Sequence, residues 1–227
     1  MCIRDRELAG GSTAENRSAL VKCMEDLYRG FPAEQTAYEK DLPVFCPTPH
    51  KEGIITPGQV QYVVQAGMFQ APYTGSMLVA RQILGLDYLW NRLRVQGGAY
   101  GAFAGFTRLG SLYFASYRDP NLSTTLQAYQ DVVDYLKDFC CDEKDLEKFI
   151  IGTIGGMDIP LTPALRIRTG ISRSRTGQTQ DMAQKVREEV LGTTVQSIQS
   201  LAEVVQKALC HSSICVVGSK EMITREK

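Results

Sequence analysis

The sequence predicts an α+β domain in which helices pack on one face of a largely antiparallel mixed sheet. Three observations lead to this prediction: short β-rich runs in the middle of the chain, several long amphipathic helical patterns, and a closing β-rich run after the last helix. The 227 residues are enough to bury a substantial core. We therefore divide the chain into residues 1–58, an N-terminal helix and Pro-rich connector, and residues 59–227, the main domain.

The first 58 residues predict one helix and little other regular structure. Residues 14–29 carry apolar side chains at helical spacing and predict an amphipathic helix. Five prolines in residues 31–58 predict an extended connector that leads into the main domain. The opening segment MCIRDRELAGGST lacks the apolar stretch of a signal peptide, and we expect it to be a truncated or artefactual beginning of a longer chain.

The main domain begins with a strand and a long helix. Residues 59–69 partly alternate between apolar and polar side chains and predict the strand. Residues 75–95 predict the helix, with Ser76 as its N-cap and two glycines just past its end. The apolar run around Trp90, the single tryptophan of the chain, is expected to lie in the core.

A β-hairpin and further helices follow. Residues 99–106 and 111–117 predict two strands joined by the turn TRLG. Residues 155–178 are rich in Gly, Pro and Arg and predict no regular element. The remaining predicted elements are helices at residues 122–139, 143–154, 179–191 and 194–209 and a closing strand at residues 213–217.

The composition argues against several classes of protein. With 25 basic and 25 acidic side chains the formal net charge is zero, so the basic excess of a nucleic-acid binder is missing. No apolar run is long enough to span a bilayer, and no basic amphipathic face marks a membrane-surface protein. The seven irregularly spaced cysteines suit reduced thiols in the cytoplasm or an organelle matrix better than the disulfides of a secreted protein.

The sequence offers no complete metal site. Its two histidines, His50 and His211, lie far apart, and neither belongs to an HExxH or HxxEH motif. Cys210, His211 and Cys215 approach a zinc-like spacing, but the fourth ligand that closes a structural zinc site is missing. We therefore expect that this chain binds no metal itself.

The segment RVQGGAYG, between the long helix and the next strand, holds the two candidate site residues. Its pattern alone favours a helix end followed by the start of a strand. That interpretation does not explain Tyr100, which stands among glycines six positions after Arg94. A helix that runs into a strand can bring both side chains to one spot. A guanidinium and a phenol there are donors suited to a peptide carbonyl or a developing oxyanion.

A second candidate is a local basic run made of Arg166, Arg168, Arg173 and Arg175, with no acidic residue inside it. Such a run can hold an anion or a peptide carboxylate. We favour the alternative interpretation, in which the arginines are solvated or paired with the acidic stretch at residues 142–147.

Several of these segments are similar to a known family. DYLWNRLRVQGGAYGAFAGF, SYRDPNLSTTL and IPLTPALRIRTGISRSRTG resemble the last domain of presequence-protease-type members of the pitrilysin/insulinase (inverzincin) family of zinc metallopeptidases. The resemblance extends over residues 55–217, and the combination of RVQGGAYG with SYRDPNL is specific to the family. It identifies residues 59–227 as a C-terminal, non-metal-binding peptidase domain.

The resemblance implies an activity and its partners. Members of the family degrade unstructured peptides in a closed chamber between two halves, and the N-terminal half carries the zinc and the general base. The last domain supplies an arginine and a tyrosine that match Arg94 and Tyr100 here. Arg94 would then bind a substrate carbonyl, and Tyr100 would stabilise the tetrahedral intermediate.

Under this implication the complete enzyme contains zinc, while this chain alone lacks the zinc site and is expected to be inactive. Its partners would be a peptide substrate and the zinc-bearing N-terminal half, on the same polypeptide or on a partner chain. The alternative is a non-catalytic structural subunit or inactive partner from the same family, which would have no need of the Arg94 and Tyr100 pair.

Overall fold

The computed structural model describes residues 10–31, 50–58 and 60–225. These residues form two compact units, a smaller one from residues 10–31 and 159–183 and a larger one from the remainder. The predicted artefactual start, at residues 1–9, and most of the predicted connector, at residues 32–49, lie outside the described residues. The division of the chain at residue 58 stays a prediction.

The elements follow one another along the chain as helices and short strands. The helices are α1 (Arg17–Arg29), α2 (Gly75–Ile83), α3 (Ser123–Lys137), α4 (Glu143–Met157), α5 (Pro163–Thr176), α6 (Gln180–Leu191), α7 (Val195–Cys210) and α8 (Lys220–Arg225). Two π-helical stretches, π1 (Leu84–Tyr88) and π2 (Trp90–Gln96), continue α2. The strands are β1 (Lys51–Ile55), β2 (Gln61–Met68), β3 (Gly101–Phe106), β4 (Ser111–Asp119) and β5 (Ser213–Gly218).

The larger unit contains a five-stranded sheet in the order β1-β5-β2-β4-β3. Strand β1 runs parallel to β5, and every other neighbouring pair is antiparallel. This arrangement confirms the predicted α+β class with a largely antiparallel mixed sheet. Strands β2, β3, β4 and β5 lie where the sequence predicted them, whereas β1 falls within the stretch that was predicted as a connector.

Helices α2, α3 and α7 cover one face of the sheet, which we call the inner face. The ring of Phe114, on β4, stacks on Tyr129 of α3 with centroids 5.5 Å apart. The Tyr129 hydroxyl donates a hydrogen bond of 3.1 Å to the Val63 carbonyl, and burial raises the pKa of this phenol. The inner-face residues of the central strands are buried, as are the facing sides of α3 and α7. This packing confirms the prediction of helices on one face.

The opposite face of the sheet, which we call the outer face, carries exposed side chains. Because successive residues of a strand point to opposite faces, they alternate with the buried ones. They include large apolar side chains from three strands: Tyr62, Met68, Phe103 and Tyr113. Within the described part of the chain, no helix is long and apolar enough to cross a membrane.

The long helix differs from its prediction in three details. It begins after Thr74, not after Ser76, so Ser76 is not the N-cap. It winds as a π-helix over most of residues 84–96, with about one more residue per turn than an α-helix. Trp90 is 41% exposed, so its predicted core position is wrong. Tyr88 and Leu89, the other residues of that apolar run, are buried as predicted, and Leu93 is buried as well.

The sequence did not predict α5 or α8. Helix α5 has ordinary boundary signals: the Thr162 side chain caps its N-terminus, Pro163 follows at the first helical position, and Gly177 ends it with φ 65°. The density of Gly and Arg between these signals concealed the helical pattern. Helix α5 has no buried residue, and a helix without a buried face needs no regular spacing of apolar residues.

Candidate functional site

The candidate site lies where π2 ends and β3 begins, and two glycines shape that corner. Gly97 closes the helix, and Gly98 has φ 78°, a left-handed conformation that costs glycine little. The Gly98 N–H donates to the Arg94 carbonyl at 3.1 Å, and the Ala99 N–H donates to the Leu93 carbonyl at 2.9 Å. These nested bonds resemble those of a Schellman motif, widened by one residue to suit the π winding.

Tyr100 follows this corner and projects into solvent. Its N–H donates to the Tyr117 carbonyl at 3.0 Å and is also 3.4 Å from the Arg118 carbonyl, which fixes its backbone against the end of β4. Its side chain is 62% exposed, and its ring meets the edge of the Tyr117 ring with centroids 5.6 Å apart. The phenol is therefore held by its backbone and by one aromatic neighbour while it stays accessible.

The structure brings the two predicted site residues together. The Arg94 guanidinium carbon lies 5.8 Å from the centroid of the Tyr100 ring. It also lies 4.1 Å from the centroid of the Trp90 ring, one helical turn earlier, in a cation–π contact. Trp90 thus supports Arg94, a role that the sequence analysis missed. The spacing of four residues between them on a helix was the available signal.

Two phenols anchor π1, the segment just before the one that carries Arg94, on α3. The Tyr135 hydroxyl donates to the Asp87 carboxylate at 2.6 Å, and the Tyr88 hydroxyl donates to the Ala128 carbonyl at 2.9 Å. Burial, and for Tyr135 the hydrogen bond to Asp87, raise the pKa of both phenols, so both stay protonated donors. These bonds hold the helix that presents Arg94 to the site.

The turn after β4 is tied to the same corner. Asp119 is 1% exposed, and its carboxylate accepts hydrogen bonds from the Asn121 N–H at 2.9 Å and the Thr125 hydroxyl at 2.7 Å. The Asn121 side-chain amide in turn donates to the Gly97 carbonyl at 2.6 Å. The segment RDPN therefore holds the helix end in place from the other side.

Arg118 completes the cluster, and the sequence analysis did not select it. Its guanidinium carbon lies 5.8 Å from the centroid of the Tyr100 ring and 5.5 Å from that of Tyr117. Across the described residues, no carboxylate lies within 4.0 Å of the guanidinium of Arg94 or Arg118. The site thus presents two guanidinium groups and a phenol, all donors, and no carboxylate from the described part of the chain competes for them. Such a set suits a peptide carbonyl or carboxylate.

The other sequence candidates lie elsewhere in the fold. Helix α5, in the smaller unit, carries all four arginines of the basic run, and the Arg173 guanidinium donates to the Gln180 side chain at 3.3 Å. Both interpretations of that run stay predictions. Cys210 ends α7, whereas Cys215 lies in β5. The described residues contain no group of three or more His, Cys, Asp or Glu side chains arranged to hold a metal ion.

Comparisons with known proteins agree on one family. The model of the PreP C-terminal domain family matches residues 51–220. The chain is 41% identical over 179 residues to Protein HypA from Clostridium perfringens, a match that covers 78% of this chain and 18% of that protein. It is 31% identical over 226 residues to Presequence protease 1, chloroplastic/mitochondrial, from Arabidopsis thaliana, with 98% and 20% covered. The chain thus spans about a fifth of the length of these relatives.

Solved structures share the fold at low sequence identity. A peptidase M16 inactive domain from Pseudomonas fluorescens superimposes with a TM-score of 0.65 at 16% identity, covering 90% of this chain and 51% of that one. Pitrilysin superimposes with a TM-score of 0.61 at 15% identity, covering 92% and 23%. At these identities the likeness concerns the fold alone.

Proposed function

Because the chain belongs to the PreP C-terminal domain family of pitrilysin/insulinase-type peptidases, we propose that it is the substrate-binding C-terminal portion of a zinc metalloendopeptidase. The substrates are unstructured peptides that enter a closed chamber. The observation that carries the proposal is the meeting of Arg94 and Tyr100 at one exposed corner, with no carboxylate of the described residues to neutralise the arginine. Both residues also lie in RVQGGAYG, one of the segments that resemble the family.

Each side chain has a distinct role in the proposed reaction. Arg94 binds a backbone carbonyl of the peptide and fixes its register, which requires a donor that is charged at every working pH. Tyr100 donates a hydrogen bond to the scissile carbonyl as that oxygen gains negative charge. A donor that is aimed at the developing charge lowers the barrier more than it improves ground-state binding.

This chain supplies only part of the machinery. As the family resemblance implies, zinc and the general base belong to the N-terminal half, and the described residues hold no group of three or more His, Cys, Asp or Glu arranged for a metal ion. That half is on the same polypeptide or on a partner chain, and the chain alone is inactive. The proposed compartment is the cytoplasm or an organelle matrix, in line with relatives named as mitochondrial or chloroplastic. Fractionation of the source cells tests the compartment, and recovery of the chain in the secreted fraction would refute it.

The decisive experiment removes one hydroxyl from the complete enzyme. Tyr100→Phe is expected to lower kcat roughly ten- to a thousandfold against an unstructured peptide, as the loss of a transition-state donor does. In the same assay Arg94→Gln is expected mainly to raise KM. The matched control is Tyr113→Phe, the same change on the outer face of β4, roughly 13 Å along that strand, at about 3.3 Å per residue, from Tyr117, whose ring Tyr100 contacts. Equal rates for the Tyr100→Phe and Tyr113→Phe enzymes would refute the proposed role.

The second candidate function is a non-catalytic structural subunit or inactive partner. It is favoured by the fold neighbour described as an inactive domain, although that likeness concerns the fold alone. The upstream part of the gene distinguishes the two candidate functions. An HxxEH motif several hundred residues upstream would support the enzyme. Its absence, together with unchanged partner activity for Tyr100→Phe, would support the scaffold.

A further inference from the structure

Arg118 has a backbone conformation that an arginine rarely adopts. Its φ is 50°, and within residues 10–31, 50–58 and 60–225 it is the one non-glycine residue with a positive φ. This left-handed conformation brings the side chain close to its own carbonyl group and costs free energy. Such strain persists only where the surrounding structure imposes it, and it is concentrated at functional sites.

The strain results from a bulge at the end of β4. Gln61 of β2 pairs with Asp119, but the next residue, Tyr62, pairs with Tyr117, so Arg118 is one extra residue without a partner. In a regular strand Arg118 and Tyr117 would point to opposite faces. Because of the bulge, the side chains of both Arg118 and Tyr117 lie on the outer face. Asp119 then lies on the inner face, beside the buried Gln61. Bulges of this kind redirect a side chain next to an active site.

The surrounding contacts hold the bulge in place. The buried Asp119 carboxylate accepts hydrogen bonds from Asn121 and Thr125, so the chain cannot rotate freely after Arg118. Asn121 binds the Gly97 carbonyl and so couples the bulge to the helix end that carries Arg94. The strained residue is thus part of the corner that positions Tyr100.

The side chain of Arg118 is directed at the rings of the site. Its guanidinium carbon lies within 5.8 Å of the Tyr100 ring centroid and 5.5 Å of the Tyr117 ring centroid, within the range of a cation–π contact. Arg94 reaches the same Tyr100 ring at 5.8 Å. Two guanidinium groups therefore flank a phenol whose ring, among the described residues, contacts one other aromatic ring, that of Tyr117.

We propose that Arg118 is a positioning residue that holds the Tyr100 phenol in the orientation from which it donates its hydrogen bond. This inference rests on the proposed function of Tyr100. Arg118 acts through Tyr100 and not on the substrate, so its loss affects the step that Tyr100 serves. The strain at Arg118 is retained because a glycine, which fits the backbone better, has no side chain to restrict the phenol.

The test uses the complete enzyme and separates strain from side-chain contact. Arg118→Gly relieves the backbone strain, since glycine adopts φ 50° readily, and it removes the guanidinium. We expect its denaturation midpoint to rise, while kcat falls about ten- to a hundredfold at nearly constant KM, as misplacement of a catalytic group does. Arg118→Lys keeps the cation and is expected to recover part of kcat.

A double-mutant cycle with Tyr100→Phe gives the second readout. If Arg118 acts through Tyr100, then Arg118→Gly lowers kcat no further in the Tyr100→Phe enzyme. An equal loss in both backgrounds would show that Arg118 contacts the substrate itself, and it would overturn the inference. So would an unchanged kcat for Arg118→Gly beside a reduced kcat for Tyr100→Phe. If Tyr100→Phe alone has no effect, the proposed function fails, and the inference fails with it.

Discussion

The two faces of the sheet carry similar side chains in opposite surroundings. On β4, Phe114 points to the inner face and is 0% exposed, whereas its neighbour Tyr113 points to the outer face and is 39% exposed. The inner rings pack against helices and supply stability. The outer face is exposed where Tyr100 and its aromatic neighbours meet Arg94 and Arg118, two arginines that no carboxylate of the described residues pairs with. Composition alone therefore does not tell an aromatic residue of the core from one that lies at the candidate site.

The two faces should differ most in the unfolding free energy that is lost when an aromatic ring is removed. Phe114→Ala is expected to cost about 3–5 kcal/mol of unfolding free energy, because it leaves a cavity against Tyr129 in a fully packed core. Tyr113→Ala, one residue away on the outer face, is expected to cost less than about 1 kcal/mol. Chemical denaturation of both variants checks this. A comparable loss for the two variants would mean that the outer face is also packed in solution.

A glycine on each face gives a second comparison. A Cβ added at Gly67, on the inner face, would lie 1.9 Å from the Ala208 carbonyl oxygen of α7, so a helix backbone would have to move. A Cβ at Gly105, on the outer face, would lie 2.2 Å from the Tyr113 ring, which can swing away into solvent. We expect Gly67→Ala to cost about 3 kcal/mol and Gly105→Ala about 1 kcal/mol or less.

Thermal unfolding of the two alanine variants, and of Gly105→Ala combined with Tyr113→Ala, measures this comparison. The double variant is expected to lose little beyond Tyr113→Ala alone, since the obstructing ring is gone. A larger loss of stability for Gly105→Ala than for Gly67→Ala would contradict the assignment of Gly67 to the packed inner face and Gly105 to the exposed outer face.

The smallest loss of stability is expected on the side of the sheet that the helices cover, but at an exposed position. It tests whether burial, more than the side of the sheet, determines how much a substitution destabilises the protein. On the helical side, the Arg187 guanidinium binds the Asp158 carboxylate through two hydrogen bonds of 2.5 and 2.6 Å, yet this pair is exposed. Asp158→Asn is therefore expected to lower the melting temperature only slightly at pH 7 and at low salt.

The effect of Asp158 on stability should also depend on pH. The hydrogen bond to Arg187 holds the pKa of Asp158 below its ordinary value of 3.8. A carboxyl whose pKa is lowered by folding stabilises the protein above its unfolded pKa, and it loses that contribution as pH falls through the folded pKa. The gap in melting temperature between the protein and Asp158→Asn should close below pH 3.8. A gap that persists there would mean that the asparagine disturbs packing.

Much of the fold could be predicted from the spacing of apolar residues, because a long element with regular spacing is clearly a helix or a strand. The hairpin, the strand at Gln61–Met68 and helices α3, α4, α6 and α7 were predicted close to their observed positions. Strand β1 was not, since a five-residue strand among prolines with every residue exposed has no alternating pattern. Trp90 was misplaced for a different reason: it was placed in the core because its neighbours are apolar, but the helix turns Leu89 inward and leaves Trp90 beside Arg94 at the surface.

Only part of the candidate site could be predicted from the sequence. Arg94 and Tyr100 were selected because their residue types and the glycines between them are unusual together. Arg118 was not selected, because nothing in the letters RDPN shows that the arginine occupies a left-handed bulge. That conformation results from the pairing of β4 with β2, a contact between residues far apart in sequence.

The π-helical winding of residues 84–96 makes the length of this segment matter as much as its composition. An α-helix turns by about 100° per residue, and a π-helix, with about one more residue per turn, turns by somewhat less, so deleting one residue here would swing Arg94 roughly a quarter of a turn around the helix axis relative to the leucines that anchor it. The guanidinium would then miss the Tyr100 ring even though both residues were still present. Single-residue insertions and deletions between Leu84 and Gly97 should therefore be rarer among functional relatives than substitutions at the same positions.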